Sequence, residues 1–255
     1  SQPRPSSWSM KHLHRLIVTS ATYRQSSKIT PELLARDDQN KLHARGPRFR
    51  MDAEMVRDNA LAAAGLLRLK PGGPPVHPYQ PPGLWESKVG GDKVTYDVSQ
   101  GEDAYRRGIY VVWKRASPYP SFINFDATAR TACVIQRSRS NTPLQALTLL
   151  NDPVYIEAAF ALAKRTLVER PAAGIEERIA HAFRLCLVRS PNDAELGALK
   201  RLYEAQLQSY RGKENLVRSL IGKFPAPKEV SAAEFAAWGA VASALLNLDE
   251  TITKG

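Results

Sequence analysis

"RSRSNTPLQALTLLNDP", residues 137–153, places two helix starts back to back. Thr142, followed by Pro143 and by Gln145 three positions on, is a capping-box pattern. The hydroxyl takes one orphan amide at the helix start while the glutamine reaches back. Asp152 and Pro153 repeat the cap-then-proline signature and open "VYIEAAFALAKRTLVE" (154–169). Two helices separated by barely a turn are therefore expected, and the pattern stays helical almost to the end of the chain.

Toward the C-terminus, "GIEERIAHAFRLCLV" (174–188) and "SPNDAELGALKRLYEAQLQSY" (190–210) predict a helical hairpin. Its second arm starts at Ser190-Pro191, with Asp193 in the first turn, where the helix dipole favours negative charge. Residues 211–230, with "FPAPKEV", read as a looser connector. Ser231 and Glu234 form a second capping box before the apolar terminal helix "AAWGAVASALLNLDETIT" (236–253). No period of about 20–50 residues recurs, which excludes a solenoid.

Toward the N-terminus, Ser9 caps "MKHLHRLIVTS", Thr30 opens "PELL", and Asp52 opens "AEMVRDNALAAAGLLRL", which "KPGGPP" (70–75) stops. The character changes between Pro71 and Ser121. "PGGPPVHPYQPPGLW" (71–85) is rich in Pro and Gly, whereas "KVTYDVS" (93–99) and "GIYVVWKR" (108–115) carry β-branched and aromatic residues. A small β-hairpin near 92–115 is expected, with Ile109, Val111 and Trp113 on one face and Tyr110 and Val112 on the other. The fold class is then mainly α, a helical bundle with a small β-hairpin insertion. It reads as one domain over 1–255, incomplete at its N-terminal side, with an insertion at 71–121 and a C-terminal hairpin plus terminal helix at 174–255.

Composition narrows the function classes. At 255 residues the chain can bury about 70–75% of its unfolded surface without metal or disulfide. Hydrophobic content of 43% and a mean hydropathy of −0.35 describe a soluble globular protein. No apolar run reaches the roughly 18–20 residues of a membrane span. The 36 Lys and Arg against 25 Asp and Glu give a net charge of +11 and a pI near 9.8, which favours acidic partners. The basic residues are spread along the chain, with no basic run interleaved with aromatics, so nucleic acid is not the expected partner. Cys133 and Cys186 have neither metal-ligand spacing nor a CxxCH haem site; Cys186 falls on an apolar helix face, and a disulfide between the two stays open. His12 and His14 fall on different helix faces, and His43, His77 and His181 lie far apart, so no metal site is expected. GxSxG, P-loop, GxGxxG and HExxH signatures are absent. The opening "SQPRPSSWSM" has neither an initiator Met nor a signal segment and reads as part of something longer.

Three constellations carry chemistry. Arg130, Arg137, Arg139 and Asn141 stand beside the amides that begin the Thr142 helix. Guanidinium forks and a helix N-terminus together suit carboxylate, sulfate or phosphate. The structural alternative pairs these arginines with Asp126, Asp152 or Asp103. In "RGPRFRMDAEMVRD" (45–58), Glu54, Arg57 and Asp58 have helical spacing suited to an ion-pair network, while Glu54, Asp58 or Asp126 is a candidate catalytic carboxylate. Trp85 and Trp113, with Tyr79, Tyr105, Tyr119 and Phe122, offer faces for stacking on sugar rings or the plug of a small core.

Several blocks together resemble one family: "LHRLIVTSATYRQSS", "RGPRFRMDAEMVRD", "PYQPPGLW", "GEDAYRRGIYVVWKR", "FDATARTACVIQRSRSNTPLQALTLLNDP" and "WGAVASALLNLDETIT". They resemble the domain-of-unknown-function family 1553, a planctomycete secreted domain, from about Trp8 to Thr253. The resemblance implies the C-terminal module of a secreted or periplasmic protein. Its partners would be upstream domains of the same polypeptide, including one that carries haem c; no cofactor is expected on this chain. It also implies a setting of polysaccharide breakdown. Thr131 stands where relatives have an acidic residue, and Gln136 where a second arginine is common. Two readings remain: a module binding an anionic polysaccharide or docking a partner domain, or an extracellular polysaccharide-acting enzyme working oxidatively with a haem partner.

Overall fold

A computed structural model describes residues 8–85 and 95–254. The chain divides into two compact units, residues 1–50 with 253–255 and residues 51–252.

The smaller unit holds α1 (Met10–Thr19), α2 (Pro31–Arg36) and β1 (Phe49–Arg50), which pairs antiparallel with β2 (Thr253–Lys254). Both expected caps form: Ser9 Oγ accepts the His12 amide and Thr30 Oγ1 the Leu33 amide. The loop after α2 is clipped by polar groups. The Asp37 carboxylate accepts the Lys41 and Leu42 amides at 2.8 and 2.7 Å, and the Arg45 guanidinium donates to the Asp37 and Asp38 carbonyls.

The larger unit starts with α3 (Ala53–Ala63) and closes around α10 (Ala232–Leu246). Between them run α4 (Pro120–Asn124), α5 (Pro143–Asn151), α6 (Pro153–Glu169), α7 (Ile175–Leu187), α8 (Asp193–Tyr210) and α9 (Glu214–Ile221). α10 is apolar on every side and is buried by α6, α7, α8 and α9; Phe235, Trp238, Val241 and Leu245 are each at most 1% exposed. Gly239 lets α6 approach, since a Cβ there would stand 2.7 Å from the Phe160 ring. α5 and α6 meet at the expected break with a bend of 60°. Among the described residues no single helix is long and apolar enough to cross a membrane.

The mainly helical class with one small two-stranded antiparallel sheet is the observed architecture, but the sheet is Phe49–Arg50 with Thr253–Lys254. Residues 92–94 of the expected hairpin lie outside the described residues. Gly108–Tyr110 is a 3-10 turn, and Val111 bridges Val76 in parallel. Two buried arginines explain this. Arg57 donates to the carbonyls of Arg106 and Ala104, both at 2.7 Å, and Arg106 donates to those of Gly72 and Pro74. The segment is thereby tied to α3 and to the Pro/Gly stretch rather than to a hairpin partner. Ile109 and Val111, expected on one face, part company: Val111 is buried and Ile109 is 69% exposed.

Other boundaries moved for local reasons. α3 ends at Ala63, before "KPGGPP", because Gly65 takes a left-handed φ of 74° and the Leu66 and Leu67 amides both return to the Leu61 carbonyl. α8 is capped by Asn192 in a capping box with Glu195, while Ser190 accepts from Arg184. The expected connector contains α9, whose Val217 and Ile221 are buried one turn apart. Both cysteines are free: Cys133 is exposed, and Cys186 is buried in α7, which pushes its thiol up to about 12.

Candidate functional site

Asp52 begins α3 and sets Glu54 in its first turn, where carboxylates are favoured. The Arg137 guanidinium grips Glu54 with both arms, Nη1 to Oε2 at 2.6 Å and Nη2 to Oε1 at 3.2 Å. Arg130 brings a second guanidinium to the same carboxylate, Nη2 to Oε1 at 3.9 Å, and lies 4.6 Å over the Trp113 ring. Burial pushes the Glu54 carboxyl up, but the Arg137 hydrogen bond and the two nearby cations outweigh it and hold the group below its ordinary value. The hydrogen bond to Glu54 likewise raises Arg137.

Of these groups, Arg130 and Arg137 line a hollow of about 400 Å³ that opens to solvent. Thr128, Thr131, Gln136 and Ser138 add neutral polar groups. Its loop is bracketed by two non-glycine residues in the left-handed region, Asp126 (φ 59°) and Arg130 (φ 56°). Each such residue costs about 1–2 kcal/mol, so the loop is held by its contacts rather than by backbone preference. One contact is visible: the Asp126 carboxylate accepts the Ser140 amide at 2.7 Å and the Ser140 hydroxyl.

The capping box expected at Thr142 is not made. Thr142 is the N-cap residue, but its side chain accepts no amide, and buried Gln145 donates to Ser140 Oγ at 3.2 Å. The glutamine serves the loop that holds Asp126 instead of the helix start. Asp152, by contrast, caps α6 through the Val154 amide at 2.9 Å.

The structure thus gathers Glu54, Arg130, Arg137 and Trp113 by mutual contact, and of the candidates Asp126, Arg130 and Arg137 line the hollow. Arg139, Asn141 and Thr142 are exposed and do not line it. Arg137 pairs with Glu54 rather than with the three aspartates considered from sequence. Asp58 stands apart, accepting the Gly108 amide at 2.6 Å and Arg107 at 3.1 Å. Gly108 is required there, since a Cβ would meet the Glu54 backbone at 2.8 Å. Glu54, Arg57 and Asp58 therefore find partners 47 to 83 residues away rather than one another. Trp85 lies in another cluster, with His77, Tyr96 and the Lys114 ammonium 4.7 Å from its ring. Among the described residues no group of three His, Cys, Asp or Glu is placed to hold a metal ion.

Sequence reasoning missed Tyr96 and Lys114 around Trp85, and Arg107 against Asp58. Their pairings span 11 to 49 positions and leave no local spacing signal.

A model of the family described as PSD1, protein of unknown function (DUF1553), matches residues 4–203. No curated protein and no solved structure matches the chain.

Proposed function

Since the chain belongs to the DUF1553 family, whose description assigns no activity, we propose from the geometry that it is a binding module for an anionic ligand, a sulfated or uronic polysaccharide. One observation carries this reading: two guanidiniums, Arg130 and Arg137, converge on a single carboxylate at the wall of an open hollow. Glu54 can neutralise only one of them, and a sulfate or carboxylate entering the hollow would complete the set through charge-assisted bonds. Thr131, Gln136 and Ser138 supply donors to neighbouring hydroxyls, exposed Arg139 extends the basic surface along the chain, and exposed Asn141 adds a neutral amide.

In this reading the module works outside the cytoplasm, as part of a secreted or periplasmic protein whose upstream domains, one with haem c, are its partners. The enzymatic alternative has less support. Glu54, Asp58 and Asp126 are each engaged by cations or by amide and hydroxyl donors, and Glu54 is displaced downward, opposite to what a general acid needs.

Chromatography on a sulfated dextran column tests the proposal. The protein elutes at a salt concentration that falls for Arg130→Ala and falls further for Arg130→Ala with Arg139→Ala, because each cation adds to the salt-dependent attraction. Elution of the double variant with the parent protein would refute the binding role. Arg130 is the better probe than Arg137, whose removal strands Glu54.

A further inference from the structure

We infer that a second cleft, where α4, α5 and α6 meet, binds a neutral hydroxyl-bearing ligand, a saccharide ring. The cleft has a volume of about 330 Å³, and Tyr79, Tyr119, Asn124, Leu147 and Asp152 are among its walls. Two polar groups there lack a full set of partners. Tyr119 is 4% exposed, and its buried hydroxyl has no hydrogen-bond partner among the described residues. Asp152 accepts the Val154 amide on Oδ1, which leaves Oδ2 for a ligand's donor. A buried phenol without a partner opposes folding, so its persistence beside a cavity points to a partner that arrives from outside.

Chemistry selects the class. An ammonium ion carries donors and no acceptor, so it would satisfy Asp152 but leave the Tyr119 hydrogen unused. An anion would satisfy Tyr119 but meet Asp152, and among the described residues no Lys or Arg lines the cleft to offset that. A hydroxyl both donates and accepts, and two adjacent ring hydroxyls answer both groups at once. The Asn124 amide donates to Thr148 Oγ1 at 2.9 Å, which leaves its carbonyl for another hydroxyl. Tyr79 is 43% exposed and offers a ring face for the C–H side of a sugar. With Pro153 it also borders a separate hollow of about 520 Å³. Burial holds the Asp152 carboxyl above its ordinary value, as expected of a group whose second oxygen faces a partly desolvated space.

The test measures binding of neutral hexasaccharides (malto-, cello- and xylo-) by saturation-transfer NMR and calorimetry, with methylammonium and inorganic sulfate as competitors. One neutral saccharide binds and neither ion displaces it. Tyr119→Phe weakens that binding about tenfold, the worth of one buried hydrogen bond, while the melting temperature stays level or rises because an unpaired buried group has gone. Asp152→Asn keeps the α6 cap, since Asn is as good an N-cap residue, yet weakens binding by turning an acceptor into a donor. Three outcomes overturn the proposal: no neutral saccharide binds, either methylammonium or sulfate competes, or both variants bind as the parent does. The sulfated column and the neutral saccharides probe different hollows, so failure of the anion site and failure of this one are separately readable.

Discussion

The α10 core and the segment from Ala104 to Thr142 belong to one compact unit yet are held by different physics. Around α10 the interior is apolar, with Trp238 against Tyr203 at 4.8 Å and Phe235 beside Phe160, and the helices satisfy their own backbone groups. The other segment consists of 3-10 turns, loops and the short helix α4, and many of its carbonyls lack intrahelical partners. The fully buried side chains that clamp it include Arg57, reaching over from α3, and its own Arg106, which spend their guanidiniums on main-chain carbonyls. Irregular backbone thus creates acceptors that only a multi-donor side chain can satisfy together. The arginine hollow sits on the region built this way, so its geometry depends on polar clamps more than on apolar burial.

The largest expected effect falls on the apolar side. Trp238→Ala should cost about 3–5 kcal/mol in chemical denaturation and lower the stability of the whole unit, because its cavity opens at the centre of the helical core. Arg57→Met keeps length and apolar bulk but strands two buried carbonyls, and should cost about 2–4 kcal/mol. Hydrogen exchange separates the two: Arg57→Met should deprotect residues 104–112 ahead of α10, whereas Trp238→Ala should deprotect both together. If Arg57→Met exchanged uniformly, the division into two kinds of interior would be wrong.

The same division explains what could be read from the amino-acid order. Helix starts at Ser9, Thr30, Asp152 and Ser231 were legible because a cap and the amide it serves lie two or three residues apart. The α5–α6 break was legible for the same reason. The Glu54–Arg137 clasp was not, since its partners are 83 positions apart and each had plausible nearer partners. "GIYVVW" resembled a hairpin strand because β-branched composition reports half-burial rather than a partner, and the partner proved to be Val76 within a proline-rich stretch. α9 was obscured by flanking Gly and Pro, although Val217 and Ile221 carry helical spacing.

A smaller effect sharpens the comparison at the hollow itself. Glu54 has a folded-state value below its ordinary 4.5, so its contribution is complete above about pH 4.5 and is lost as pH falls through the folded value. Glu54→Gln should therefore cost about 1–2 kcal/mol at neutral pH and flatten the loss of stability between about pH 5 and pH 3. It should also delay elution from sulfated dextran, since the competing internal carboxylate has gone. A variant that lost stability without gaining retention would confine the clasp to a structural role.

The smallest effect compares two helix starts that look alike on paper. Thr142 with Gln145 and Asn192 with Glu195 both fit the capping-box spacing, but only the second pair makes the reciprocal bonds, at 2.9 and 2.8 Å. Asn192→Ala should cost about 1 kcal/mol, the usual worth of a working cap. Thr142→Ala should fall within about 0.5 kcal/mol of the parent, as for a surface residue that makes no specific contact. Gln145→Ala is the informative partner: its amide holds Ser140, which holds Asp126, so it should disturb sulfated-glycan retention even though α5 keeps its length. A Thr142→Ala cost as large as that of Asn192→Ala would mean that the threonine caps α5 in solution, leaving Gln145 free to reach back and Asp126 without its support.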